Sequence, residues 1–391
     1  MRVLLIYPAL SDRLDRFPTR PPLGLAYLSA VLKQNGHACQ LVDEQLEPDL
    51  WRVIDGYQPE VVGFSVTTWT APRVAAKAAA LKQKYPQMVC LAGGPHATAH
   101  PEDVLAAGAD IVFRGEAERT FPEVLKRIAA NQEFERVQSS ADPVELDGLI
   151  SFSPRRGMFG PIEITRGCTF ACSYCQTSRI FGVRLRHRSV ESVVRQAEAL
   201  RSVNRKVVRL LSPNAFSYGS EDGRQLNLGA MRELLSALRA GLPQDAKIIF
   251  AHFPSEVRPE HVIPETLDLL KEFAGNDEIV IGAQSGSQRM LDSCRRSHDV
   301  ESVLRAVALA RKYRYKIIVD FIFGLPGETA EDLSQTLAVI EELIRMGARI
   351  HPHIFAPLPQ TPFSSASPGS LSPEVLKAIE GFKTRRGIYG M

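Results

Sequence analysis

Three cysteines, Cys168, Cys172 and Cys175, fall in a C-x3-C-x2-C pattern inside the thirteen residues TRGCTFACSYCQT, residues 165–177. A loop this short can wrap three thiolates around one cluster of iron and sulfide, because thiolate is the ligand such clusters want. A [4Fe–4S] cube has four irons, so three protein ligands leave one iron free for a small molecule. The competing readings are a zinc loop and three incidental cysteines. Structural zinc needs four ligands, commonly as two spaced pairs, and the nearest fourth candidate is His187.

Positioning such a loop calls for a scaffold, and the chain is long enough for two or three domains at 391 residues. Hydrophobic content of 45% and charged content of 23% are ordinary for a globular protein. A formal charge of +3 gives no reason to expect nucleic acid. Arg184, Arg186, His187 and Arg188 form a basic group after the cysteines, readable as a solvated loop or as an anion contact. The N-terminal apolar run lacks the features of a signal peptide, and no apolar stretch is long enough for a membrane span. Six cysteines in all, together with an air-sensitive cluster, point to the cytoplasm.

The first 130 residues alternate strand-like runs (3–7, 38–42, 61–65, 89–92, 111–114) with helical ones (23–34, 50–57, 71–84, 101–107, 117–129). Val- and Ile-rich runs between helices predict a doubly wound parallel sheet, Rossmann-like or flavodoxin-like, covered on both faces. Ligands of such sheets lie beyond the carboxyl ends of the strands. Those ends carry Pro8 and a loop through Gly24, then Ser65 and Thr67, Gly93-Gly94-Pro95-His96, and Arg114-Gly115-Glu116. Glycines and small hydroxyls let backbone approach a large flat ligand, which leaves flavin, nucleotide and cobalamin open. Residues 131–159 are polar and turn-rich and read as a linker. From residue 160 the alternation resumes, with strands at 160–164, 206–211, 247–250, 278–282, 316–321 and 348–353. Helices are predicted over 190–203, 228–239, 265–273, 300–313 and 331–346. Six βα-type units suit a partial barrel with its chemistry at the carboxyl ends.

With Tyr174 preceding Cys175, the cysteine loop resembles the radical S-adenosylmethionine (SAM) signature, C-x3-C-x-aromatic-C. The segments PPLGLAYLSAVL, VGFSVTT, AGGPHAT and RGEAE ahead of it resemble the cobalamin (B12)-binding domain of B12-dependent radical SAM enzymes. The resemblance implies a cobalamin domain over 1–135, a linker over 136–159, a TIM-like (β/α)6 barrel over 160–362 and an extension over 363–391. It implies cluster ligation by Cys168, Cys172 and Cys175, and SAM chelated to the open iron. SAM contacts would come from Tyr174, Ser212, Asn214, Gln284, Ser287, Asp320 and Gly324. Relatives carry Gly-Gly-Glu where this chain has Ser212-Pro213-Asn214, so Asn214 or Ser212 would take the methionyl amine. The GLPGET turn, from Gly324, would lie under the adenine. Ser287 also reads as a helix cap, and GLPGET equally as a tight turn with Thr329 capping the next helix.

Cobalamin contacts would come from Pro8, Gly24, Ser65, Thr67, Gly93, Gly94, His96, Arg114, Gly115 and Glu116. The wider B12 family's D-x-H-x-x-G motif is absent, since Asp43 is followed by Glu44 and Gln45. His252, His351 and His353 are candidates for a substrate base, with a core role as the alternative. Reductive cleavage of SAM to a 5′-deoxyadenosyl radical, then methylation of an unactivated carbon through methylcobalamin, is the activity the resemblance implies. The alternatives are cyclisation or rearrangement without methyl transfer, and a non-catalytic cobalamin- or redox-sensing protein. A methylthiotransferase would need three further cysteines in the first domain, which offers Cys39 and Cys90. Expected partners are a small-molecule, lipid or peptide substrate and an electron donor of flavodoxin or ferredoxin type.

Overall fold

Every residue from Val3 to Ile6 is buried, which is what a central parallel strand with helices on both faces demands. In the computed structural model, which describes residues 1–10, 22–140, 142–150, 152–153, 158–385 and 387–389, this run is β1 (Arg2–Tyr7). The chain forms two compact units, Met1–Gly160 and Pro161–Met391.

Unit one runs α1 (Leu23–Gln34), β2 (Ala38–Asp43), α2 (Leu50–Tyr57), β3 (Val61–Ser65), α3 (Ala71–Lys84) and β4 (Val89–Gly93). It continues through α4 (Pro95–Ala99), α5 (Pro101–Ala106), β5 (Ile111–Arg114), α6 (Thr120–Ala129) and β6 (Val137–Ser139). The strands pair in the order β2-β1-β3-β4-β5-β6, all parallel, with the order reversing between β1 and β3. Alternate side chains build two cores. Val3 and Leu5 pack with Leu25, Leu32, Phe121 and Leu125 of α1 and α6. Leu4 and Ile6 pack with Ile54, Val74, Ala78 and Leu81 of α2 and α3.

The turn-rich stretch expected to be a linker contributes to this unit instead. Val137–Ser139 adds a sixth strand to the five expected. Val144, Leu146 and Leu149 bury against Tyr27 of α1. A small antiparallel hairpin, β7 (Phe152–Ser153) and β8 (Met158–Phe159), follows. Three spaced apolar residues within a polar stretch make too short a periodic signal to read as structure. Residues 11–21, and so most of the loop expected between Pro8 and Gly24, lie outside the described residues.

Unit two begins with β9 (Ile162–Glu163), β10 (Thr165–Arg166), α7 (Thr177–Phe181), β11 (Arg186–His187), α8 (Val190–Arg201), β12 (Val207–Leu211), α9 (Leu228–Gly241) and β13 (Lys247–Ile249). Then come α10 (Pro264–Phe273), β14 (Glu278–Gln284), α11 (Gln288–Ser293), α12 (Val300–Lys312), β15 (Lys316–Phe323), α13 (Ala330–Arg345), β16 (Arg349–Ile354) and α14 (Pro373–Thr384). Parallel pairing runs β9-β12-β13 and β14-β15-β16, and a single parallel bridge between Val257 and Ile281 connects the halves. The helices start where side chains can cap them: Ser189, Asn227, Asp299 and Thr329 each accept from a backbone N–H of the first turn. Among the described residues no helix is long and apolar enough to cross a membrane.

Candidate active site

The cysteine loop springs from a short antiparallel ribbon, Thr165–Arg166 paired with Arg186–His187. Gly167 starts it at φ +92°, where a Cβ would stand 2.2 Å from the Arg184 carbonyl oxygen, so no other residue fits there. Backbone bonds then shape the loop. The Cys168 N–H donates to the Gly182 carbonyl (3.1 Å), and the Cys175 N–H to that of Cys172 (3.0 Å). Ser173 is pinned across the barrel, its N–H donating to the Cys294 carbonyl (3.0 Å) and its hydroxyl to that of Ser293 (2.9 Å).

All three cysteines line one cavity of about 370 Å³. Its other walls include Tyr174 from the loop, Ser212 and Asn214 beyond β12, Glu256 and Arg258 beyond β13, and Arg296 beyond α11. Burial pushes the thiols of Cys168 and Cys175 up, and their neighbouring thiols add to the effect. Crowding protonated thiols in a buried site is the arrangement that metal relieves, because a cation takes the place of the protons. The Arg296 guanidinium stands beside them, with Nη1 3.6 Å from Cys172 Sγ and Nη2 donating to the Gly282 carbonyl (2.6 Å). Its Nε is buried without a partner, which leaves a donor over for a cofactor. His187, the expected fourth ligand of a zinc reading, is spent. Its Nδ1 bonds the Thr165 hydroxyl (2.9 Å) and its Nε2 donates to the Ser220 carbonyl (2.8 Å). Three thiols of one loop, with His187 engaged elsewhere, suit a cluster with an open iron.

The remaining candidates for SAM divide. Ser212 and Asn214 reach the cavity wall, but their polar atoms bond within the protein. The Ser212 hydroxyl donates to the Asn214 carbonyl (2.8 Å). The Asn214 side chain donates to His261 Nδ1 (2.8 Å) and accepts from the Arg258 N–H (3.2 Å), so it positions the segment that carries Glu256. Gln284 is buried and donates to the Glu256 carboxylate (3.2 Å). Ser287 does not line the cavity. It caps α11, and its hydroxyl donates to Asp332 (2.6 Å). Asp320 is tied to histidines and does not line the cavity either. Gly324 lies under the C-terminal stretch, where a Cβ would stand 2.7 Å from Gly369 Cα. The turn expected beneath adenine therefore borders a second cavity, walled by Pro368, Gly369 and Val375.

Sequence reasoning missed Glu256, Arg258 and Arg296. Burial and the Asp320 charge push the Glu256 carboxyl up to about 7. Arg258 stacks on Phe170 of the cysteine loop at 3.6 Å from the ring centroid. For Glu256 and Arg258 the available signal was a charged residue soon after an apolar strand of the barrel, where buried charge needs a purpose. The candidate bases lie outside the cavity: His252 bonds Glu278 (3.1 Å), while His351 and His353 converge on Asp320.

In unit one, Ser65 and Gly93 are partners at the carboxyl ends of β3 and β4. Gly94, at φ +103°, brings the next turn so close that a Cβ would stand 2.8 Å from the Val66 oxygen. Thr67 bonds Thr70, with Thr70 Oγ1 accepting from the Thr67 N–H (2.9 Å). The Arg114 guanidinium donates to the Thr98 carbonyl and the Gly115 N–H to its hydroxyl. Glu116 accepts from the Val144 N–H (3.1 Å). These three residues are thus engaged within the unit. Pro8 is buried, and Gly24 is exposed on α1. His96 borders an apolar slot of about 310 Å³ between α3, α5 and the sheet, lined by Ala71, Ala75, Ala78, Ala92 and Ala109. Its Nδ1 is buried without a partner. A slot widened by alanines, with an unpaired imidazole nitrogen at its edge, suits a bulky, mostly apolar group with a polar end. Cys39 and Cys90 are buried in the two cores of this unit, and burial pushes the Cys90 thiol up to about 12. Neither is placed to serve a second cluster.

Comparison with known proteins bears on both units. Residues 162–340 match the family model for the Radical SAM superfamily, and residues 18–125 match that for the B12 binding domain. The chain belongs to the radical SAM enzymes that carry a B12-binding domain. Its cofactors are a [4Fe–4S] cluster, SAM and cobalamin. It is 24% identical over 377 residues to an uncharacterized methyltransferase of Pyrococcus horikoshii, covering 88% of this chain and 78% of that protein. Similarity to the hopanoid C-3 methylase of Methylococcus capsulatus is 27% over 263 residues, 60% of this chain and 50% of that one. The fold is similar to that of the radical SAM methyltransferase TsrM from Kitasatospora setae, solved with tryptophan and a SAM analog. That likeness has a TM-score of 0.71 and 18% identity, and covers 93% of this chain and 75% of TsrM.

Proposed function

We propose that this enzyme is a cobalamin-dependent methylase acting on an unactivated carbon of a small-molecule, lipid or peptide substrate. Cys168, Cys172 and Cys175 would ligate the cluster, and SAM would lie against it in the cavity bounded by Glu256, Arg258 and Arg296. When bound, cluster and SAM supply a 5′-deoxyadenosyl radical, and cobalamin supplies the methyl group. The protein's part is to bind, orient and exclude water. Glu256, in the wall of the same cavity as the cysteines, would offer the methionyl amine the carboxylate that Ser212-Pro213-Asn214 lacks. An arriving methionyl ammonium would hold its carboxylate ionised against burial. Arg296 would offset the thiolate charge of Cys172 and offer its free Nε–H to a sulfide or to the SAM carboxylate. In unit one, His96 and the alanine-lined slot would take part of the cobalamin, with Ser65, Thr67, Gly93 and Gly94 at the strand ends.

The observation that carries this reading is the convergence of three cysteines of one loop, with the Glu256 carboxylate and the Arg258 and Arg296 guanidinium groups, on a single cavity. It is supported by methyltransferases among the similar proteins. The test is anaerobic reconstitution with iron, sulfide and hydroxocobalamin, then reduction in the presence of methyl-labelled SAM. Stoichiometric corrinoid retention and 5′-deoxyadenosine formation are expected, with both cluster and deoxyadenosine lost in Cys172→Ala. Label transferred to a substrate identifies a methylase. Deoxyadenosine with a product free of label would mean rearrangement instead, and no deoxyadenosine at all would mean a binding protein.

A further inference from the structure

Strands β15 and β16 are neighbours, with Asp320 opposite His351 and Ile322 opposite His353. His351 and His353 are two apart on one strand, so both imidazoles share a face, and that face turns toward the Asp320 carboxylate. His351 Nδ1 lies 2.9 Å from Asp320 Oδ1, and His353 Nε2 lies 3.6 Å from the same oxygen. One ligand atom from each residue falls within 4.8 Å of the others. We propose that Asp320, His351 and His353 form a binding site for a first-row divalent metal ion, separate from the cysteine loop.

Geometry and chemistry agree on this. An ion about 2.1 Å from each donor would subtend about 90° between Asp320 and His351 and about 120° between Asp320 and His353. Those angles lie in the range of octahedral to trigonal coordination. Two imidazoles and one carboxylate on one side of an ion are the donor set of open first-row sites, with the other side left to water or another oxygen donor.

The surroundings hold the donors in place. The His351 ring packs edge-on against Phe253 (5.2 Å between centroids) and Tyr389 (5.6 Å), and against His353 (4.3 Å). The Glu256 carboxyl is the acidic neighbour of Asp320 on the side of the cysteine cavity. Asp320 itself is 7% exposed and His353 is 43% exposed, so the carboxylate is fixed at the base while the entry side faces solvent. Since Glu256 also lines the cysteine cavity, the two sites are one carboxyl group apart.

Mn²⁺ is the probe, titrated into oxidised, reconstituted holoenzyme and followed by electron paramagnetic resonance. The oxidised cluster and cob(III)alamin are both silent there, so the signal of free Mn²⁺ reports uptake without any need for turnover. One equivalent per chain should bind at micromolar concentration, and Zn²⁺ should displace it. His351→Gln and His353→Gln should each weaken uptake by about tenfold or more. Asp320→Asn should abolish it. Because Asp320 is buried, the solvent-facing His353→Gln, with unchanged circular dichroism and cluster content, is the control against misfolding. No uptake below millimolar Mn²⁺, or uptake unaltered in His351→Gln and His353→Gln, overturns the site and leaves a hydrogen-bonded His–Asp–His group. Deoxyadenosine formation reads the cysteine site separately, so either assignment can fail alone.

Discussion

The guanidinium of Arg296 donates through Nη1 to the hydroxyl of Tyr174 over 3.1 Å, across 122 residues of sequence. The same nitrogen lies 3.6 Å from Cys172 Sγ, so one cation meets both a thiol and the aromatic residue of the cysteine loop. Hydrogen bonds and positive charge near ligating sulfur stabilise the reduced state of a cluster. Arg296→Met should therefore lower the cluster's midpoint potential in a potentiometric titration and slow deoxyadenosine formation by about 10- to 100-fold. An unchanged potential would mean that Arg296 only braces the loop.

Glu256 offers the cavity a carboxylate held by Gln284 and the Asn214-anchored segment. Glu256→Gln keeps the shape and removes the charge. SAM binding, measured by calorimetry on reconstituted protein, should weaken about 10- to 100-fold, the worth of a hydrogen bond to a charged group. Iron content should stay unchanged.

His298 is buried beside Arg258 and Arg296, and burial first, then those two charges, lower its pKa from 6.5 to about 2. It stays neutral in the fold, with Nε2 donating to the Ala283 carbonyl (3.3 Å) and Nδ1 facing Arg258 (3.4 Å). A depressed folded pKa means that the unfolded chain alone takes up the proton below 6.5. Stability is then present above 6.5 and lost as pH falls, by up to about 1.4 kcal/mol per pH unit. In urea unfolding between pH 7 and 5.5, His298→Gln should lose about 1 kcal/mol less than the wild type.

Gly94 combines φ +103° with ψ −178° and a Cβ position in contact with the Val66 backbone. Gly94→Ala should cost about 1–3 kcal/mol through strain at this glycine-only conformation. A separate thermal transition of unit one would drop, and corrinoid retention with it, while iron content in the cysteine loop holds.

The alternation of strand and helix was readable from the sequence because it is local. Val61–Ser65, Leu23–Gln34 and Ala71–Lys84 end where the residue pattern ends. The cysteine loop was equally readable, since thiolates that must share one cluster need to be close along the chain or carried on one turn. Tertiary structure decided the rest. The residues that surround the cysteines come from elements far apart in sequence: Glu256 beyond β13 and Arg296 beyond α11. Each looks like an ordinary surface charge until the barrel closes over it. Packing also supplied partners that the sequence did not show. Ser287, Asp320 and Gly324 carried plausible cofactor chemistry in one dimension. Packing gave them a helix cap, a pair of histidines and a close backbone approach to Gly369. A side chain's chemistry depends on which partner reaches it first, and only the folded chain sets that.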